Sequence, residues 1–68
     1  MNDDILNMSL RKFLKKVGVT SQREIENAVK AALADGRLKG DEKLKAQVHL
    51  TLPEAGLDTV IDGEVELA

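Results

Sequence analysis

Sixty-eight residues with no cysteine and one histidine make a single small domain with a marginal core, and exclude a disulfide staple, a thiolate metal site and a histidine-cluster metal site. No apolar run approaches the roughly 18 residues a membrane span needs. The acidic opening Met1-Asn2-Asp3-Asp4 lacks the basic and apolar regions of a secretory signal, so the chain reads as soluble and cytoplasmic, with no membrane partner.

Hydrophobic residues make up 43% of the chain and charged residues 32%, enough of each to fold and to stay in solution. The net charge of −2 hides an asymmetry: residues 1–40 carry +3 and residues 41–68 carry −5. Such a division fits a basic binding face beside an acidic tail, two complementary surfaces, or solvated faces that differ by chance.

Asn2 or Asp3 can cap a first helix, and Asp4 sits well near its positive end. Leu6, Leu10, Phe13, Leu14 and Val17 then follow the spacing of one helical stripe, which Ile5 and Met8 widen. Gly18 suits the left-handed residue past a helix end, and Lys15 and Lys16 suit the negative end of the dipole. The first helix is therefore expected over about 3–17.

Ser21 and Glu24 have the spacing of a capping box that starts a second helix. Ile25, Ala28, Val29, Ala32 and Leu33 carry its apolar face, and Asp35-Gly36 ends it. This second helix is expected over about 22–34. Together the pair would form a helical hairpin around a tight turn.

Beyond the polar connector Arg37–Glu42, where Leu38 is the one anchor for a core, the period changes from 3.6 to 2. Leu44, Ala46, Val48, Leu50 and Leu52 alternate with polar residues, predicting a strand over about 43–52 that Pro53 stops. A second strand is expected over about 59–67, with Ile61, Val65 and Leu67 on one face and Asp62, Glu64 and Glu66 on the other. Asp62-Gly63 reads as strand interior or a bulge, because too few residues remain for another full strand.

The order helix, helix, strand, strand predicts an α+β domain over 1–68: two N-terminal amphipathic helices packed on a C-terminal antiparallel β-hairpin. Two strands alone are barely stable in water. Pairing the open edge with a second copy would add core and sheet, so a homodimer is the expected partner state.

The run Asn7–Glu26 resembles a family of small bacterial proteins known only as a domain of unknown function, and the resemblance extends through the hairpin. It implies a stand-alone bacterial protein and nothing about activity. Leu10, Phe13, Leu14, Gly18-Val19, Ser21, Arg23-Glu24, Gly36-Arg37-Leu38 and Gly40 are also similar to the S4-type RNA-binding domain, over residues 10–40. That family sets a basic helical pair and a glycine turn against structured RNA. Gln22 stands where its pattern carries one of two adjacent arginines.

The candidate binding residues are Arg11, Lys12, Lys15, Lys16 and Arg23. The first four form i,i+4 pairs on one side of helix one. Arg23, at the start of helix two, would add a cation where a helix N-terminus already favours phosphate. Against nucleic acid stand the single aromatic, Phe13, which belongs to the apolar stripe, and a pI near 5.3.

No catalytic residue is expected. His49 sits on the polar strand face without an apparent partner, Ser9 lies in a helix, and Ser21 serves as a cap. There is no phosphate loop, nucleophile elbow or Cys/His pair. Asp58, Asp62, Glu64 and Glu66 lack the order of a calcium loop. No cofactor, metal or small-molecule substrate is implied. The reading is a non-enzymatic interaction module that self-associates; the alternative is an RNA- or DNA-binding module using helix one and the junction.

Overall fold

The computed structural model describes residues 1–68 and shows an α+β chain in two compact units, Met1–Arg37 and Leu38–Ala68. The first unit is a single helix, α1, over Asp3–Ala34. The second is an antiparallel hairpin, β1 over Lys43–Leu52 and β2 over Leu57–Glu66, joined by a 3₁₀ turn at Pro53–Ala55.

The expected pair of helices is thus corrected to one. Gly18 is not among the glycines with positive φ, so it supplies no left-handed stop. Ser21 and Glu24 lie inside α1 and form no capping box. The reason is the cost of interruption. Breaking a helix orphans four carbonyls and four N–H groups, and starting again demands a new nucleus. Against that, Gly18 costs roughly 1 kcal/mol relative to alanine, and Val19, Thr20 and Ser21 less than that each. No proline removes a donor within the helix. Strong helix formers on both sides carry it through.

The ends of α1 follow the local signals. The Asn2 side-chain oxygen accepts from the N–H groups of Asp4 and Ile5 at 3.0 and 3.2 Å, while Asp3 and Asp4 complement the positive end. At the other end Asp35 N–H donates to the Ala31 carbonyl at 3.1 Å, and Gly36 takes φ 83°. Only a residue without Cβ adopts that angle freely, so the chain turns there.

The hairpin register pairs Leu52 with Leu57 and runs to Lys43 opposite Glu66. Leu44 faces Val65 and Val48 faces Ile61, so the alternating apolar residues share one face. The other face sets Lys43 against Glu66 and Lys45 against Glu64. Gly63 is strand interior, opposite Ala46. Leu67 N–H donates to the Glu42 carbonyl at 3.1 Å and extends the ladder by one step. β2 begins at Leu57, two residues before the expected start, because Gly56 at φ 67° closes the turn quickly.

Burial is sparse. Ala32 is the one buried hydrophobic residue, at 8% exposure. Leu38, Leu44, Ala46, Leu50, Val65 and Leu67 are half-buried.

Gly18→Ala tests the continuity of α1. An added Cβ meets no atom within 4 Å, so the substitution should raise stability by about 0.5–1 kcal/mol. Thermal melting followed by circular dichroism reads the change. A loss of stability would mean that Gly18 holds a turn.

Candidate functional site

Continuity of α1 decides where its charges lie. At about 100° of rotation per residue, Arg11, Lys12, Lys15, Lys16 and Arg23 fall within an arc of about 140°. They span about 18 Å along the axis. All five are exposed. The two ion pairs of the chain lie elsewhere, so none of these cations has a carboxylate within 4.0 Å. The structure therefore brings the five candidate residues together, by a different route from the one expected. Arg23 is mid-helix and has no free helix N-terminus beside it. It joins the cluster because it stands eleven residues, three turns, beyond Lys12. Lys30 continues the same face, eighteen residues beyond Lys12. Glu26 is the one acid between these cations, and its carboxylate accepts from the Gln22 amide at 2.9 Å.

An apolar stripe that also contains Glu24 occupies the opposite side. Leu6, Leu10, Phe13, Leu14, Val17, Ile25, Ala28 and Ala32 fall within an arc of about 120°. Ile5 and Met8, expected to widen this stripe, and Val29 and Leu33, expected on the apolar face of a second helix, project instead on the basic side of the single helix by the same rotation. Ile5 and Met8 are 67% and 69% exposed. Phe13, placed in the core stripe, is 52% exposed.

His49 does have a partner. Its Nε2 lies 2.8 Å from Oδ1 of Asp58, diagonally across the hairpin, and both side chains are well exposed. The Gln47 amide donates to Asp62 at 2.9 Å on the same face. The missing signal was the start of β2: once Leu57 faces Leu52, Asp58 reaches His49 from beside Thr51. Ser9 and Ser21 sit on α1, exposed and half-buried respectively. No group of three or more histidines and acids is placed to hold a metal ion. The surface depressions are open grooves, such as the one floored by Ala46 and Gly63 between Lys45, Gln47, Asp62 and Glu64.

Two carboxylates are held below their ordinary range. Asp35 accepts from the Arg37 guanidinium at 2.8 Å, and the Arg37 N–H adds a second bond. Glu42 folds back over its connector and accepts from the N–H groups of Lys39 and Gly40, at 2.9 Å each, and Asp41 at 3.2 Å. Three successive N–H groups around one carboxylate make a small anion cradle that the chain fills itself. Sequence reasoning missed this cap, for which the glycine before two acids was the only signal.

An α+β chain with a long amphipathic helix, one face basic and the other apolar, is the class these features define. It belongs to the family of unknown function DUF6494, whose sequence model matches residues 1–68. No curated protein and no solved structure matches the chain. No helix is long and apolar enough to cross a membrane.

The Glu42 cap has a pH signature. Its pKa is lower folded than unfolded, so its stabilisation is present above the unfolded value and lost as pH falls through the folded one. In an NMR titration the amide signals of Lys39, Gly40 and Asp41 should move together, with a midpoint below the ordinary glutamate range. Glu42→Gln should abolish that step. A midpoint within the ordinary range would show that the carboxylate is free.

Proposed function

We propose that this protein is a non-enzymatic interaction module whose partner is a second copy of itself. One observation carries this reading: the apolar faces are formed but not covered. Leu6, Leu10, Phe13, Leu14, Val48 and Ile61 remain 41–56% exposed, and Ala32 alone is buried. A lone helix gains most of its stability from packing its apolar face, and a lone hairpin is marginal in water. Covering what these six side chains still expose would contribute about 1 kcal/mol each, or about 12 kcal/mol for a pair of chains. That is comparable with the roughly 4–15 kcal/mol that association costs. Cross-strand pairs and the Glu42 cap hold the hairpin but add little core.

The test is sedimentation velocity over a range of concentrations. The expected species has twice the 7.4 kDa mass of the chain, and its helical circular dichroism falls on dilution as it dissociates. A monomer at every concentration with undiminished helicity would overturn the reading.

The five aligned cations favour a second reading, an RNA- or DNA-binding module, and the S4-like pattern over residues 10–40 points the same way. A helix face of this charge neutralises phosphates and makes binding salt-dependent. The net charge of −2 and the single aromatic weigh against it. Amide NMR titration with a structured RNA hairpin and with a DNA duplex, at low and physiological salt, separates the two. Shifts confined to residues 11–30 that Lys12→Glu with Lys16→Glu removes would establish nucleic-acid binding. An unchanged spectrum with both ligands would exclude this second reading.

A further inference from the structure

The uninterrupted helix gives the apolar stripe a symmetry that two helices would have destroyed. From Leu10 to Ala32 its positions fall at 10, 14, 17, 21, 25, 28 and 32. The steps read the same in both directions about Ser21. They repeat after eleven residues, close to three turns, so the stripe drifts by only about 20° per repeat and stays on one side of the helix.

We infer that the second copy docks along this stripe, with α1 of each chain antiparallel to the other and the two-fold axis at Ser21. The inference rests on the self-association proposed above and names its surface. Two features argue for it. The first is registry. An isologous contact needs residue i to face j and j to face i, and the palindromic spacing meets that condition: Leu14 faces Ala28 of the second copy, Val17 faces Ile25, and Ser21 faces itself. The second is volume. Leu10 and Leu14 stand towards one end of the stripe and Ala28 and Ala32 towards the other, so the antiparallel arrangement sets leucine against alanine at both ends and Val17 against Ile25 between them, and holds the axes at an even distance. A parallel pair would be wide at one end and narrow at the other.

Ser21 is the polar residue at the centre of the stripe and is half-buried already. At the axis the two hydroxyls can donate to each other, and a slipped register would leave them facing apolar side chains. Ala32 is covered within its own chain, so the seam runs from Leu14 to Ala28, with Leu10 at its outer end.

Distances between spin labels on the full chain test this. The protein has no cysteine, so single substitutions Ser9→Cys, Thr20→Cys and Asn27→Cys give unique nitroxide sites on one flank of the stripe. The expected axial separations between copies are about 36 Å at position 9, 18 Å at position 27 and 3 Å at position 20. Equal distances at all three sites would mean a parallel pair and overturn the inference while leaving self-association standing. So would a dimer in which the labels do not follow this order, as when the hairpin edges pair. A monomer would overturn self-association itself. Ala28→Glu keeps a good helix former but buries a charge opposite Leu14, and should weaken the dimer by at least about 100-fold. Lys30→Glu, on the opposite face, should leave dimer affinity within about threefold. Equal behaviour of the two variants would also overturn the inference.

Discussion

Everything distinctive about the first half of this chain depends on unbroken backbone hydrogen bonding through Gly18–Glu24. That segment contains residues that favour turns and caps, and none that forbids a helix. With the ladder intact, rotation alone sorts the side chains. Cations as distant as Lys12 and Lys30 come to one side, and an apolar stripe running from Leu6 to Ala32 comes to the other. If the ladder broke at Gly18, the two groups of apolar residues would face each other across a turn and the basic residues would divide between two short helices. The amphipathic surface is therefore a property of continuity more than of composition.

The hairpin rests on a different constraint, the geometry of its turn. Pro53 ends β1 and Gly56, at φ 67°, returns the chain so that Leu57 meets Leu52. Every later pair follows from that one. A shift of one residue would exchange the two faces of β2, carrying Asp62 and Glu64 to the apolar side. At the open end Glu42 has two roles. Its carboxylate collects the N–H groups of the connector, and its carbonyl takes the ladder one step further to Leu67.

The parts of the fold legible in the sequence were those where one periodicity or one residue type leaves no alternative. The alternation from Leu44 to Leu52 located β1 to the residue, and Asn2 and Gly36 marked the outer ends of α1. The interior of α1 was not legible, because a glycine after lysines and a serine three before a glutamate have the same local appearance in a turn as within a helix. What separates the two cases is whether each piece could satisfy its own ends and cover its own face. The five basic residues were legible as a group, although Arg23 was assigned to the group through a helix N-terminus that does not exist. The His49–Asp58 pair was hidden for a smaller reason. It depends on the strand starting at Leu57, and two residues decide which acid stands diagonal to the ring.

Length brings these points together. A chain of 68 residues cannot wrap a large core, and this one spends 32 of them on a single helix and 20 on two strands. A folded-back helical pair would let the chain cover its own leucines. A continuous helix cannot touch itself, so the stripe that continuity creates is also the stripe that continuity leaves open. The local preference for an uninterrupted ladder and the need to cover apolar surface are then met together only if the covering surface comes from outside the helix. The palindromic spacing about Ser21 and the opposition of leucine and alanine ends are features that a second, identical helix can satisfy. This is the physical ground on which the proposed self-association stands.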